Sequence, residues 1–384
     1  MKEKLSELCF KILRFISSFL PLKNTILFES HPDFADNALP VYQEMLKSDI
    51  NKKYKLIWIL NGKSIPSDLP ENVLCRRRVC GSILEKLLVQ WEILRAKYII
   101  DSNNYVHKFH EKQIRVHLKH GLPIKDASHY TQNTGNLDVL CVPSEYWINI
   151  CSKEHGVPTS IIRPLGFPRN DVLVSKPHKH KIIMWMPTFR KNSMDTESET
   201  SFDFNSIMPL GLPTISGIEQ LQEINELFKK NDAYLLIRLH PAQDTSGINL
   251  SDMSNIKICN DTFINSYNTT LYKLLTYTDA LISDYSSIYY DYLLLDKPIA
   301  LATSDFEHYK KNNGTIAENH EEFKTMFPAF FVDDYADLIS FFENIFEDND
   351  GVYRCAEAKK KYMGGCDNRS AEKIVDYLIK NYNL

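Results

Sequence analysis

No run of eighteen apolar residues occurs in this 384-residue chain, so no segment is expected to cross a bilayer as a helix. Paired Cys-x-x-Cys spacing is missing as well. The eight cysteines (Cys9, Cys75, Cys80, Cys141, Cys151, Cys259, Cys355, Cys366) are scattered, which fits free thiols in a reducing cytosol better than a disulfide framework or a zinc site. There is no excess of positive charge. With 45 Lys and Arg against 49 Asp and Glu, the formal net charge is −4, and a general nucleic-acid binder is excluded on that ground. The chain also lacks a Gly-rich nucleotide fingerprint, an acidic metal motif, an internal repeat and a low-complexity tract. No cofactor is therefore evident and no metal ligand is assigned; Mg²⁺ stays open because no motif fixes it.

What is present is ordinary globular material, 43% hydrophobic and 24% charged, long enough for two domains. Short apolar runs alternate with longer amphipathic ones. Strands are expected at 26–28, 55–60, 98–100 and 114–117, with helical patterns at 39–47 and 82–95 between them. After a polar stretch at 175–181 the alternation restarts, with strands at 182–186, 234–239, 256–258, 280–282 and 298–301 and helices at 215–230, 271–277, 335–346 and 371–382. Such alternation predicts parallel, doubly wound sheets. The reading is α/β and GT-B-like, two Rossmann-like domains facing a cleft, 25–175 and 176–384, with a mobile surface loop at 191–204. Residues 1–24 form a separate amphipathic helix with Leu5, Leu8, Ile12, Phe15, Ile16 and Phe19 on one stripe. That stripe suits either an anionic membrane surface or packing on the N-terminal domain. A signal peptide would carry a longer apolar stretch and a small-residue cleavage site.

The chemistry-bearing residues lie at strand ends. Ala280-Leu-Ile282 leads through Ser283-Asp284-Tyr285-Ser286-Ser287 into a helical pattern, a junction of hydroxyls and unpaired N–H groups that can bind a diphosphate or act as a plain helix cap. His120-Gly121 ends the strand beginning at Arg115, and His240-Pro241 ends the strand beginning at Tyr234. Ligands of open α/β sheets bind at such carboxyl ends, although a lone strand-end histidine is more often packed than catalytic. A corner, Leu165-Gly166-Phe-Pro-Arg169-Asn-Asp171, lies between the two.

In order, His120-Gly121-x-Pro123-x-Lys125, Gly166-x-Pro168-Arg169-Asn170-Asp171, Met186-Pro-Thr-Phe-Arg190, His240-Pro241, and Ser283 to Ser287 with Asp291 resemble the CDP-glycerol glycerophosphotransferase family. These are the teichoic-acid and capsule polyol-phosphate transferases. Phe28-Glu-Ser-His31 and Asn37 match its first strand and loop, while Lys119 and Leu122 depart from its usual residues. The resemblance implies transfer of glycerol phosphate or a related polyol phosphate from a CDP-polyol to a hydroxyl of a lipid-linked or polymeric glycan acceptor, releasing CMP. It implies an enzyme that is cytoplasmic and peripheral at the inner face of the cell membrane. His120 is then expected as general base and His240 as a donor to the diphosphate. Ser286 and Ser287, with Asp284, Arg190 and Pro241, fall on the donor side. Asp171, Arg169, Asp291, Lys125 and Gly121 fall on the polyol and acceptor side, where Asp291 and Arg238 also have structural readings. The alternatives are a CMP-sialic-acid-type glycosyltransferase and a non-catalytic glycan-binding assembly protein. Which polyol is used, primase or polymerase, teichoic acid or capsule, and oligomeric state are not written in these residues.

Overall fold

The computed structural model describes residues 2–62, 65–124, 136–188, 211–239, 250, 252–349 and 355–384. They form two compact units. One gathers the described residues of Met1–Leu122, Ser128–Asp171 and Gly364–Leu384, the other those of Pro123–Ala127 and Val172–Met363.

The first unit is built on seven parallel strands: β1 (Lys23–Glu29), β2 (Lys55–Leu60), β3 (Val73–Arg77), β4 (Ala96–Asp101), β5 (Ile114–His117), β6 (Val139–Cys141) and β7 (Ile162–Arg163). Their order is β3-β2-β1-β4-β5-β6-β7. Alternate side chains of a strand point to opposite faces, and both faces here are covered, which is why the strands read as unbroken apolar runs. Ile26, Phe28, Trp58, Tyr98 and Ile100 pack under helix Ala38–Lys47. Leu27, Ile57, Ile59 and Ile99 pack under Val89, Ile93 and Leu94 of helix Ile83–Arg95. That helix starts with a capping box in which Ser82 accepts from the Glu85 amide and Glu85 from the Ser82 amide.

Helix Lys2–Ser18 lies beside Ile83–Arg95. Its docked face is Phe10 and Leu13, followed by Leu20, with the Ser17 hydroxyl donating to Leu94 O at 3.0 Å. The stripe read from the sequence faces outward instead, with Phe15 67% and Phe19 72% exposed.

The second unit carries β8 (Lys181–Trp185), β9 (Ala233–Ile237), β10 (Ile256–Ile258), β11 (Ala280–Ser283), β12 (Ile299–Leu301) and β13 (Phe330–Phe331), in the order β10-β9-β8-β11-β12-β13. All pairs are parallel. Its core joins Ile183, Trp185, Leu235 and Ile282 to helices Ile218–Lys230 and Tyr335–Phe346. Strand order reverses between β1 and β4 in one unit and between β8 and β11 in the other, and such reversals open the crevices where ligands bind.

The end of the chain departs from the expected 176–384 grouping. Helix Ser370–Tyr382 belongs to the first unit, where Ile374, Val375 and Leu378 are buried in the cluster of Phe28 and Tyr98. The Tyr98 hydroxyl donates to Tyr382 O at 2.7 Å and Arg163 Nε to the Tyr377 hydroxyl at 2.7 Å. An amphipathic helix goes to whichever sheet has an uncovered apolar face, and sequence order does not say which.

Candidate active site

The first unit presents a histidine held by a buried carboxylate. Beyond β5 the ladder continues for one step, as Leu118 N donates to Asp101 O at 2.8 Å. Lys119 then takes φ +57°, a left-handed turn that costs a non-glycine residue about 1 kcal/mol. Its ammonium is held by both oxygens of Glu154 at 2.7 Å. The turn delivers His120 to the surface with its side chain 61% exposed, while Asp36, 4% exposed, meets its Nδ1 at 2.6 Å. A carboxylate partner assigns the proton to Nδ1, which leaves Nε2 as the acceptor in the neutral ring.

Asp36 is fixed by its own surroundings. Arg169 donates to its other oxygen at 2.7 Å and also reaches the carbonyl of His120. Asn37 locks the two loops together, donating to Lys119 O at 2.7 Å and accepting from the Arg169 amide at 3.0 Å. Burial pushes the Asp36 carboxyl up, but Arg169 and His120 together outweigh it and hold the group below the ordinary carboxylate range. It is therefore charged when His120 needs an anionic partner.

Behind this pair, the switch point between β1 and β4 is filled with buried charge. Asp101 accepts from Arg115 Nε at 2.9 Å and pairs with His117 Nδ1 at 2.6 Å. Burial opposes its ionisation, yet Arg115 and His117 bring its pKa well below the ordinary value. Glu29, at the end of β1, is the opposite case. Burial, then the charge of Asp101, pushes its pKa up to about 8. Its Oε1 is buried with no hydrogen-bond partner among the described residues.

The Pro168-Arg169-Asn170-Asp171 corner splits its labour. Arg169 braces Asp36 and is itself buried. Asp171 was expected on the polyol side. Its carboxylate instead accepts the amides of Ser370 at 2.9 Å and Ala371 at 2.8 Å, capping helix Ser370–Tyr382. Gly166, at φ +92°, sits against that helix so closely that a Cβ would lie 2.2 Å from Ser370 Oγ. Gly121 follows His120, half-buried.

In the second unit the corresponding crevice is lined with hydroxyls. Asp284 is fully buried, and its carboxylate accepts from the Thr188 amide at 2.9 Å and from the Thr188 hydroxyl, tying the loop after β8 to the loop after β11. A carboxylate so placed fixes the shape of the turn. Ser286 and Ser287 remain half-exposed at the start of helix Ile288–Tyr292. Asp291 is buried and accepts from the Tyr272 hydroxyl at 2.7 Å, so its expected polyol contact gives way to its structural reading. Arg238 likewise makes a strand-end ion pair, with Asp261 at 2.7 Å. Lys125, Arg190, His240, Pro241 and the 191–204 loop lie outside the described residues. Among the described residues, no group of three or more His, Cys, Asp or Glu could hold a metal ion.

Residues 12–380 match the family model described as CDP-glycerol:poly(glycerophosphate) glycerophosphotransferase. The chain belongs to this family. Among glycerophosphotransferase-family relatives, the teichoic acid ribitol-phosphate polymerase TarL of Staphylococcus aureus (strain NCTC 8325 / PS 47) is 24% identical over 410 residues, covering 96% of this chain and 65% of TarL. The teichoic acid glycerol-phosphate primase of Bacillus subtilis (strain 168) is 25% identical over 264 residues, covering 66% of this chain and 61% of the primase. The chain thus spans somewhat under two thirds of the length of both. A solved structure of the wall teichoic acid polymerase TagF superposes with a TM-score of 0.72 at 20% identity, covering 97% of this chain and 93% of that one. That likeness is one of fold, an α/β, GT-B-like pair of parallel-sheet units.

Sequence reasoning picked out His120, Arg169 and Asn37 but passed over Asp36. An Asp-Asn pair before a helix reads as a capping signal, and the histidine it serves is 84 residues away. Once His120 is suspected as a base, the question to ask is which acidic residue in another strand-end loop can orient it.

Proposed function

We propose that this glycerophosphotransferase-family chain transfers a polyol phosphate from a CDP-polyol to a hydroxyl of a lipid-linked or polymeric teichoic-acid-type acceptor, releasing CMP. The observation that carries the reading is the exposed His120 held through Nδ1 by buried, charged Asp36. Nε2 takes the proton of the acceptor hydroxyl as its oxygen bonds to the polyol-bearing phosphorus. The bridging P–O bond breaks and CMP leaves with the electron pair. Asp36 stabilises the imidazolium that forms, and Arg169 keeps Asp36 ionised and in place. Ser286 and Ser287 hold the donor diphosphate, with His240 donating to the leaving phosphate as charge builds. The facing of the two units across a cleft is part of this proposal, since the base and the donor turn belong to different units.

The acceptor's lipid end accounts for a second feature of the first unit. Leu8, Ile12, Phe15, Ile16 and Phe19 of one helix, with Ile83, Leu84, Leu87 and Trp91 of its neighbour, are exposed apolar residues. Lys11, Arg14 and Lys86 stand exposed on the same two helices. Apolar faces with basic flanks suit the anionic inner surface of a cell membrane. No described helix is long and apolar enough to cross one, so the contact is peripheral. Phe15→Glu combined with Trp91→Glu is expected to abolish sedimentation with anionic liposomes; equal sedimentation removes the membrane role.

The direct test is CMP release from CDP-glycerol, CDP-ribitol or CMP-sialic acid, each supplied with a short lipid-linked acceptor. Release from one CDP-polyol, lowered about 100-fold or more in His120→Ala, is expected. Full activity in that variant, or CMP from CMP-sialic acid alone, overturns the reading.

A further inference from the structure

The first unit's sheet ends in a polar shelf on the face that helix Ile83–Arg95 covers. Leu27, Ile57, Leu74 and Ile99 pack toward that helix, and residues an even number of places further along each strand face the same way. Those residues are Glu29 on β1, Asn61 after β2, Arg78 after β3 and Asp101 on β4. In register, Ile59 lies opposite both Glu29 and Arg76, and the ladder continues as Arg78 N donates to Leu60 O at 2.8 Å. Asn61 and Arg78 therefore stand two residues further out than Glu29, about 7 Å along the strands.

That outer layer holds a cation without an anion. Arg76 and Arg77 pair with Glu92 and Glu85, whereas Arg78 makes no ion pair among the described residues. Its guanidinium donates to Asn61 Oδ1 at 2.6 Å and to Tyr105 O at 2.8 Å, and lies 4.9 Å from the centre of the exposed Tyr105 ring. Other N–H groups of the guanidinium remain to be used. Asn61 Nδ2 is buried with no hydrogen-bond partner among the described residues, a state that buried polar groups seldom keep. Directly after Arg78 the chain turns apolar and outward. Val79, Ile83 and Leu84 are exposed, Ile83 by 81%.

We infer that Arg78 binds the phosphate at the lipid end of an amphiphilic acceptor, whose apolar chain lies against Val79, Ile83 and Leu84. This deepens the transferase reading and rests on it for the kind of acceptor. A guanidinium meets a phosphate with two parallel N–H groups, which an ammonium cannot do. Phosphate oxygens are also the acceptors that Asn61 Nδ2 lacks. Free phosphate offers the same oxygens but gains nothing from the apolar residues beside them. The site belongs to the unit that carries His120, and both lie beyond carboxyl ends of its strands.

Octyl diphosphate, kept below its micelle concentration, and inorganic pyrophosphate are titrated calorimetrically into the full chain, with excess CMP to occupy the donor turn. Wild type is expected to bind octyl diphosphate about tenfold or more tightly than pyrophosphate. Arg78→Gln is expected to weaken octyl diphosphate about tenfold. Arg78→Lys keeps the charge without the fork and is expected to weaken it less; it also carries the test if Arg78→Gln does not fold. Equal wild-type affinity for the two probes overturns the lipid assignment, and binding of neither overturns the whole inference. So does an unchanged octyl diphosphate affinity in Arg78→Gln; a lowered urea midpoint in that same variant would make Arg78 only a staple between Asn61 and Tyr105. The titrations involve no turnover, so failure to release CMP sinks the transferase reading while leaving them to decide the phosphate site.

Discussion

The two sheets reverse strand order in the same way, yet their switch points are furnished in opposite styles. At the ends of β1 and β4 sit Glu29 and Asp101, with Arg115 and His117 on the adjoining β5, all buried, and nearby loops display His120 on Asp36. Between β8 and β11 sit Thr188, Ser283 and Asp284, leading to the half-exposed Ser286 and Ser287. Topology decides where a crevice opens, and the side chains decide what it does. Dense buried charge can hold a carboxylate ionised beside a histidine, which suits proton transfer. Hydroxyls and turn amides offer neutral donors, which suit an anion arriving with charge of its own.

Exchanging the damage between the two crevices tests this division. Asp36→Asn keeps the shape but removes the anion that orients His120 and stabilises its charged form. We expect kcat to fall about 100-fold with KM for the CDP-polyol within about twofold. Ser286→Ala combined with Ser287→Ala is expected to act the other way, raising donor KM about tenfold with a smaller change in kcat. CMP-release kinetics read both. A loss confined to kcat in the serine variant breaks the comparison, because the second crevice would then be working on the transition state rather than holding the donor.

Much of this contrast is legible in the sequence alone. The strand–helix alternation and both crevice loops follow from apolar periodicity, because strands buried on both faces leave long apolar runs. His120 and the Ser283–Ser287 turn stood out because polar groups at strand ends are conspicuous against such runs. Three kinds of information were not legible. β7 and β13 have two residues each, too few for any period to register. Asp171 looked like a ligand group because the amides it accepts from, those of Ser370 and Ala371, lie about 200 residues later in the chain. The ownership of helix Ser370–Tyr382 was misjudged because its apolar stripe fits either sheet. The last two failures concern long-range partners, whereas the successes are local.

The smallest expected effect sharpens the contrast from the stability side, and it lies at Glu29. Burial first, then the Asp101 charge, raises its carboxyl to about 8 from the ordinary 4.5, against the opposing pull of Arg78, the Asn103 amide and Arg115. Between those two pH values the native state keeps a proton that the unfolded chain has released. The unfolded state then binds fewer protons, so this group's contribution to stability is fully present below about 4.5 and declines as pH rises to about 8. Glu29→Gln removes that dependence while approximating the neutral acid in shape. Denaturant unfolding is expected to show the variant no more stable than wild type at pH 5 and more stable by on the order of 2 kcal/mol at pH 8. Parallel pH curves for the two proteins mean that Glu29 is ionised in the fold. The first crevice would then hold Glu29 and Asp101 together as anions, and the cations that sustain the pair would be Arg78 and Arg115.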